Sequence, residues 1–125
     1  MPRTLLAAAV FACASAVAAS DTWPQWRGPT RDGVFTGPPW PEKLTDASLV
    51  KAWRADDVGP SYSGPVVSAD AVFTTATVDK KTEVVTAFDR KTGKEKWKAK
   101  WDGSLTVPFF AARNGSWVRA TPALD

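Results

Sequence analysis

The sequence predicts an all-β fold built around a four-stranded antiparallel sheet. Between residues 63 and 101, short runs rich in valine, threonine and aromatic residues are separated by turn residues, as in strands joined by hairpins. The last of these runs, residues 94–101, alternates strictly between lysine and other residues, which is the period of a strand. Prolines at positions 38, 39 and 41 exclude a helix from the segment before the runs.

The first element, residues 1–20, is predicted to be a secretory signal peptide. Arg3 gives it a positive start, residues 5–17 form an alanine-rich apolar run, and small residues around Ala18 provide a cleavage site. The run is shorter than the ~20 residues of a membrane-spanning helix. We therefore expect an exported protein, periplasmic or extracellular, without a membrane span. The single cysteine, Cys13, would leave with this peptide, and the mature chain could then form no disulfide.

Residues 21–48 are predicted to be an extended lead-in. They are rich in tryptophan, proline, glycine and aspartate and show no sustained periodicity. Their most distinctive stretch contains Trp23, Pro24, Trp26, Arg27 and Gly28. We expect the aromatic side chains of this stretch to anchor an otherwise irregular segment.

Residues 49–125 are predicted to hold the strands. Residues 49–54 are the first candidate strand. The four runs that follow would make the sheet, and they are residues 63–68, 71–78, 83–88 and 94–101. Residues 79–82 would form the polar hairpin turn between the second and third of these four.

Residues 89–93 are predicted to form a tight turn, and the chemistry of two of its residues explains why. Asp89 can accept hydrogen bonds from backbone N–H groups two or three residues further on, and Gly93 can adopt the positive φ that closes the loop. In the strand that follows, the lysines at positions 94, 96, 98 and 100 are expected on one face, toward water. Packing is expected on the other face, which carries Glu95, Trp97, Ala99 and Trp101.

Composition and charge exclude several functions for this chain. It contains no histidine, and so it has no Ser-His-Asp triad, no Cys-His pair and no histidine zinc ligand. Its formal net charge is +3, of which one unit leaves with Arg3. The lysines cluster in residues 91–100, where a solvated strand face is the simpler explanation, since a nucleic-acid site needs exposed aromatic residues among the basic ones. We expect no nucleic-acid partner.

Two short segments of the chain are echoed later in it. The segment around Trp53, Val-Lys-Ala-Trp-Arg, is echoed around Trp97, 44 positions on, by Lys-Glu-Lys-Trp-Lys. The segment around Pro65 is echoed around Pro122, 57 positions on, and the extra 13 residues fit a longer connection between the two units over residues 102–117. A period in the forties with four strands per unit is typical of the blades of a β-propeller. We therefore expect one four-stranded antiparallel propeller blade followed by the start of a second.

The 89–93 turn belongs to a longer motif. Residues 87–97 fit the pattern A-x-D-x-x-T-G-x-x-x-W, whose fixed positions are Ala87, Asp89, Thr92, Gly93 and Trp97. This pattern resembles the tryptophan-docking motif of pyrroloquinoline-quinone-like (PQQ-like) β-propellers. The resemblance implies that the aspartate, threonine and glycine shape the turn between the third and fourth strands of a blade. It also implies that the tryptophan packs against the motif of a neighbouring blade and so locks the two blades together.

Other stretches resemble exported members of the same family. They are residues 23–33, 61–67, 107–110 and 114–122, so the resemblance covers residues 21–125. It implies a closed ring of about 4–8 blades, whereas residues 49–125 supply one blade and the opening of a second. We therefore expect an incomplete β-propeller, an N-terminal fragment or truncated product. Its partners would be the missing propeller blades or another protein.

Three functions are compatible with this resemblance. The first is a non-catalytic exported module that acts as a protein-interaction scaffold and needs no cofactor, metal or catalytic residue. The second is the N-terminal part of a quinoprotein dehydrogenase, in which PQQ and Ca²⁺ bind on the propeller axis, possible only in a full-length propeller. The third is a carbohydrate- or polymer-binding surface, since exposed tryptophan rings could stack on a ligand. We expect the first, because the acidic residues lie mostly in turns, at positions 70, 79, 89 and 102.

Overall fold

The structure is a computed structural model and describes residues 21–103, 109–110 and 118–125. Within these residues the chain forms four strands: β1, Val66–Val67; β2, Ala71–Val78; β3, Thr82–Asp89; and β4, Glu95–Asp102. Each strand pairs with the next in one antiparallel sheet of order β1-β2-β3-β4. The all-β prediction and the four-stranded antiparallel sheet are therefore confirmed.

Several predictions concern residues outside this description. They are the signal peptide over residues 1–20, with Cys13, and the family-like stretches at residues 107–108 and 114–117. Nothing in the described part could cross a lipid bilayer as a helix.

The hairpin turn between β2 and β3 follows from its residues. Asp79 and Lys80 both have positive φ, 52° and 56°, as in the type I′ turns whose twist suits a two-stranded hairpin. The Lys81 N–H donates to the Val78 carbonyl at 3.1 Å and closes the turn. The turn ends one residue earlier than predicted, because Thr82 already pairs with β2.

A β-bulge in the pairing of β3 with β4 changes which side chains share a face. Trp97 and Glu95 pair with consecutive residues of β3, so Lys96 is the extra residue between them. The prediction that Glu95 lies on the face of Trp97 is therefore wrong, because the bulge interrupts the alternation that the sequence shows. Glu95 instead lies on the face of Lys98, with which it forms an ion pair at 2.9 Å.

The two faces of the sheet differ in composition. The tryptophan face carries Val66, Phe73, Ala87, Trp97 and Trp101, and the lysine face carries Ala76, Val84, Thr86, Lys98 and Lys100. The buried side chains lie mainly in the two central strands, β2 and β3. All eight residues of β4 are exposed. The packing face predicted for β4 is thus only half covered by the described residues, and Trp97 and Trp101 remain 47% and 45% exposed.

Residues 49–54 do not form a strand, contrary to the prediction. Their composition suits a strand, but a strand must pair with a neighbour, and these residues pair with no strand of the described sheet, which begins at β1 and ends at β4. Val50 is 90% exposed. The strand predicted over residues 63–68 is real but shorter, since only β1 pairs regularly and Pro65 before it has no N–H to donate.

The lead-in is held beside β1 by a β-bridge. Trp23 and Val67 exchange two backbone hydrogen bonds, of 2.7 and 2.8 Å. The described C-terminal segment returns to the same place, where the Leu124 N–H donates to the Pro24 carbonyl at 2.9 Å. Residues 23 and 24 are therefore fixed from both sides, by β1 and by the C-terminal segment.

Candidate functional site

A single carboxylate oxygen organises the turn over residues 89–93. The Oδ1 atom of Asp89 accepts hydrogen bonds from the Lys91 N–H at 3.1 Å and from the N–H and the hydroxyl of Thr92, both at 2.8 Å. The Gly93 N–H donates to the Asp89 carbonyl at 2.8 Å. We call these five residues the motif turn, because three of them are fixed positions of the sequence motif.

Hydrogen bonding also favours the charged form of Asp89. The bonds from the Thr92 hydroxyl and N–H, and then from the Lys91 N–H, favour the carboxylate and lower its pKa below the ordinary value. The nearby charge of Lys96 acts in the same direction. A carboxylate that is already committed to three donors is a poor general base. The chemistry of Asp89 is therefore that of a turn former.

The indole of Trp53 lies on the motif turn. Its Nε1–H donates to the Arg90 carbonyl at 2.7 Å, although 37 positions separate the two residues in the chain. Its ring centre is 6.1 Å from that of Phe88, at an interplanar angle of 35°. Trp53 thus satisfies a carbonyl of the turn and covers an aromatic ring at the end of β3.

Gly93 makes this contact possible in two ways. Its φ is +71°, a conformation that side chains other than glycine adopt only with strain. A Cβ at this position would also lie 2.6 Å from a ring carbon of Trp53. Glycine therefore supplies both the conformation of the turn and the space for the indole.

Trp97, the tryptophan of the same motif, has different surroundings. It is 47% exposed, and its ring centre lies 5.8 Å from that of Phe73 on β2. Ala87, its partner on β3, is fully buried. Within the described residues no second turn of the Asp89–Gly93 kind reaches Trp97. Two tryptophans in echoed segments thus differ: Trp53 covers a turn, whereas Trp97 presents much of its ring to solvent.

The N-terminal motif forms a separate turn beside β1. The ring of Trp23 packs on Gly28, where φ is +74° and a Cβ would lie 2.7 Å from the ring. The Trp23 Nε1–H donates to the Trp26 carbonyl at 3.4 Å, and the Arg27 guanidinium donates to the Asp32 carbonyl at 3.2 Å. These contacts leave the Trp26 side chain 73% exposed.

Arg90 connects the motif turn to the lead-in. Its guanidinium donates to the Ser68 carbonyl at 3.2 Å and forms an ion pair with Asp21 at 3.1 Å. Its N–H donates to the Asp70 carbonyl at 3.0 Å. The Asp70 carboxylate in turn binds the Lys96 ammonium at 2.7 Å, which lowers the pKa of Asp70 and raises that of Lys96. The lead-in, the β1–β2 turn and the motif turn therefore meet at this arginine.

The arrangement is suited to packing one segment on another. It offers a turn carbonyl, an aromatic ring and a glycine surface, all of which an indole can cover. No three His, Cys, Asp or Glu side chains of the described residues come together in a way that could hold a metal ion. Comparison with known proteins adds no assignment, since no family model, no curated protein and no solved structure matches the chain.

Sequence reasoning missed two of these contacts. Trp53 had a partial signal, because its segment echoes that of Trp97, but the echo does not say which turn the Trp53 ring contacts. The role of Arg90 had none, because it occupies a variable position of the motif. Its partners Ser68 and Asp21 lie 22 and 69 positions away in the chain.

Proposed function

We propose that this chain is a β-propeller repeat module of the PQQ-like class, exported, which acts as a non-catalytic scaffold for protein interactions. The observation that carries the proposal is the seating of Trp53 on the motif turn, with its hydrogen bond to the Arg90 carbonyl. A tryptophan from one segment on the Asp-x-x-Thr-Gly turn of another is the contact that the family resemblance implies between blades. The pattern of residues 1–20 supports export.

The half-exposed Trp97 indicates which surface of the chain meets the proposed partner. It lies on the edge strand β4, beside the similarly exposed Trp101. Indole rings are enriched in protein interfaces because they combine a large apolar surface with one N–H donor. The proposed partner therefore meets the β4 side of the tryptophan face. It is a further propeller blade, or another protein, that presents a turn similar to the motif turn.

The proposal assigns no cofactor to the chain, in contrast to the dehydrogenase alternative. The two are separated by calorimetric titration of the purified chain with PQQ in the presence of Ca²⁺. We expect no stoichiometric heat. A saturable heat with a defined stoichiometry would favour the dehydrogenase alternative and contradict a non-catalytic scaffold.

Site-specific cross-linking tests the proposed interface. A photoreactive phenylalanine analogue is placed at Trp97 in the chain expressed in its native host, and the cross-linked peptides are identified by mass spectrometry. Trp40 is the matched control position, since it is 68% exposed but belongs to the lead-in. We expect position 97, and not position 40, to cross-link to a peptide that contains an Asp-x-x-Thr-Gly turn. Equal yields at both positions, or adducts without such a turn, would refute the proposed interface.

A further inference from the structure

An aromatic cleft lies on the side of the molecule where three segments of the chain converge. It has a volume of about 480 Å³ and is lined by Trp26 of the lead-in, Tyr62 before β1, and Arg119 and Thr121 of the C-terminal segment. This volume falls within the roughly 300–1,000 Å³ typical of ligand pockets. None of these four side chains takes part in the motif turn, so the cleft is independent of the proposed scaffold function.

Backbone hydrogen bonds fix the three walls of the cleft relative to one another. The Tyr62 N–H donates to the Val118 carbonyl at 3.0 Å, and the Val118 N–H donates to the Thr77 hydroxyl at 2.8 Å. Val118 is itself buried, which anchors the Arg119 that follows it. The wall that carries Trp26 is held by the pairing of Trp23 with β1. The backbone of the three segments is thus held in place before a ligand binds, which lowers the cost of ordering them on binding.

The side chains of the cleft present two kinds of surface. Trp26 is 73% exposed and offers ring surface to a ligand, whereas Tyr62, 49% exposed, forms the aromatic wall beside it. The Arg119 guanidinium lies over the Tyr62 ring, 5.1 Å from its centre, in a cation–π contact that holds the charge at the cleft. The hydroxyl of Thr121 adds a polar group that can donate or accept hydrogen bonds.

We infer that this cleft binds an acidic carbohydrate chain of the uronic acid type. A sugar ring has an apolar C–H face that can lie on an aromatic ring and hydroxyls that can bond to the polar groups at its rim. A guanidinium matches a carboxylate in geometry and charge, and Arg119 is the charged residue among the described residues that line the cleft. A proline-rich peptide would also use the aromatic rings, but it has no carboxylate to offer Arg119.

Calorimetric titration of the purified chain with acidic oligosaccharides tests this inference. The probes are oligogalacturonate and oligomannuronate, each compared with its neutral methyl ester. We expect saturable binding of at least one acidic oligomer and about tenfold weaker binding of its ester, because the ester loses a charge-assisted bond. Added salt should weaken the acidic form more than the ester.

Two variants locate the binding. Trp26→Ala should weaken the acidic oligomer about tenfold through the lost ring contact. Arg119→Gln should reduce the acidic oligomer to the affinity of its ester. Trp40→Ala removes another exposed indole, outside the cleft, and should leave binding unchanged. If Trp26→Ala fails to fold, as judged by circular dichroism, the loss of acid-over-ester preference in Arg119→Gln still decides the question.

Three outcomes would overturn the inference. The first is that neither acidic oligomer binds. The second is that Trp40→Ala weakens binding as much as Trp26→Ala does. The third is that the acid and its ester bind the unmodified chain with equal affinity. If both oligosaccharides fail to bind and a proline-rich peptide binds in the cleft, the cleft is a peptide site and the inference is wrong. None of these results concerns Trp97, so the proposed scaffold function is tested separately, by the cross-linking experiment.

Discussion

The ring of Trp53 fills the space in which a side chain at Gly93 would stand. A Cβ at position 93 would lie 2.6 Å from the nearest ring carbon, well inside van der Waals contact. The two residues are 40 positions apart in the sequence, yet the indole fits only because position 93 is a glycine. The same indole donates its N–H to the Arg90 carbonyl of the turn. The stability of the motif turn is therefore coupled to a segment far from it in the chain.

Gly93→Ala is the most direct test of this coupling. The substitution strains a φ of +71° and displaces the indole, so we expect a loss of about 2–3 kcal/mol in the free energy of unfolding. Gly33→Ala is the matched control, because its φ is +80° and nothing lies within 4 Å of its Cβ. Its loss should be about 1 kcal/mol, from backbone strain alone. Urea unfolding followed by circular dichroism gives both values, and equal losses would show that the indole is not displaced.

A double-mutant cycle isolates the contact between the ring and position 93. In a Trp53→Ala background the ring is gone, and Gly93→Ala should then cost only as much as the Gly33 control. The coupling energy obtained from the cycle is expected to be about 1–2 kcal/mol. A coupling near zero would place the Trp53 ring away from Gly93 in solution.

Substitutions at Trp53 separate its hydrogen bond from its packing. Trp53→Phe keeps an aromatic ring but removes the donor to the Arg90 carbonyl, and should cost about 1 kcal/mol. Trp53→Ala also removes the packing on Phe88 and should cost about 2–3 kcal/mol, less than for a fully buried tryptophan because Trp53 is only partly buried. Trp40→Phe, at a position 68% exposed, should change stability by less than about 0.5 kcal/mol. A Trp53→Phe variant as stable as the parent would mean that the hydrogen bond contributes nothing.

The sheet could be predicted from the sequence because its signals are local. Strand propensity and hairpin residues place β2 and β3 to within one residue of their observed bounds, and the Asp89 turn follows from side-chain chemistry two and three positions away. The bulge at Lys96 could not be predicted, since the alternation of residues 94–101 shows no interruption. It arises from pairing with β3, and pairing is a property of two strands and not of one.

The candidate site could be predicted only in part, for the same reason. The residues of the motif turn were recognisable, but the occupant of the turn was not, because residues 49–54 have the composition of a strand. Only the folded chain shows that these residues pair with no described strand and that Trp53 packs on Gly93. The convergence of Trp26, Tyr62 and Arg119 is likewise a result of tertiary structure, since they lie in three distant segments.

Trp97 should contribute less to stability than Trp53, although both occupy echoed positions. Its ring is 47% exposed and contacts Phe73, so Trp97→Ala should cost about 1–2 kcal/mol and leave cooperative unfolding intact. Trp101→Ala is the control on the same strand, since Trp101 is 45% exposed and donates its Nε1–H to Glu83 at 3.1 Å. The two variants should unfold at similar urea concentrations. Loss of the cooperative transition in Trp97→Ala alone would identify Trp97 as a core residue.

Acid should weaken the fold through the motif turn. The pKa of Asp89 is lower in the folded chain than its ordinary value of 3.8, chiefly because of the bonds from Thr92. The unfolded chain therefore binds more protons than the folded chain below about pH 4, and stability falls as the pH falls through the folded pKa. Above about pH 5 the contribution is fully present, so the urea midpoint should be flat from there to neutrality. The pKa of Asp70 is lowered by Lys96 and adds a loss in the same pH range.

Asp89→Asn measures how much of the stability lost at low pH comes from the motif turn. The amide oxygen can still accept from the backbone of the turn, but it carries no charge and does not titrate in this range. We expect the variant to be less stable than the parent at about pH 7 and to lose less stability than the parent between about pH 5 and about pH 2.5. Asp46→Asn changes an exposed aspartate of the lead-in and should reproduce the pH dependence of the parent. If Asp89→Asn and Asp46→Asn followed the same pH profile, the charge on Asp89 would have no part in holding the turn that receives Trp53.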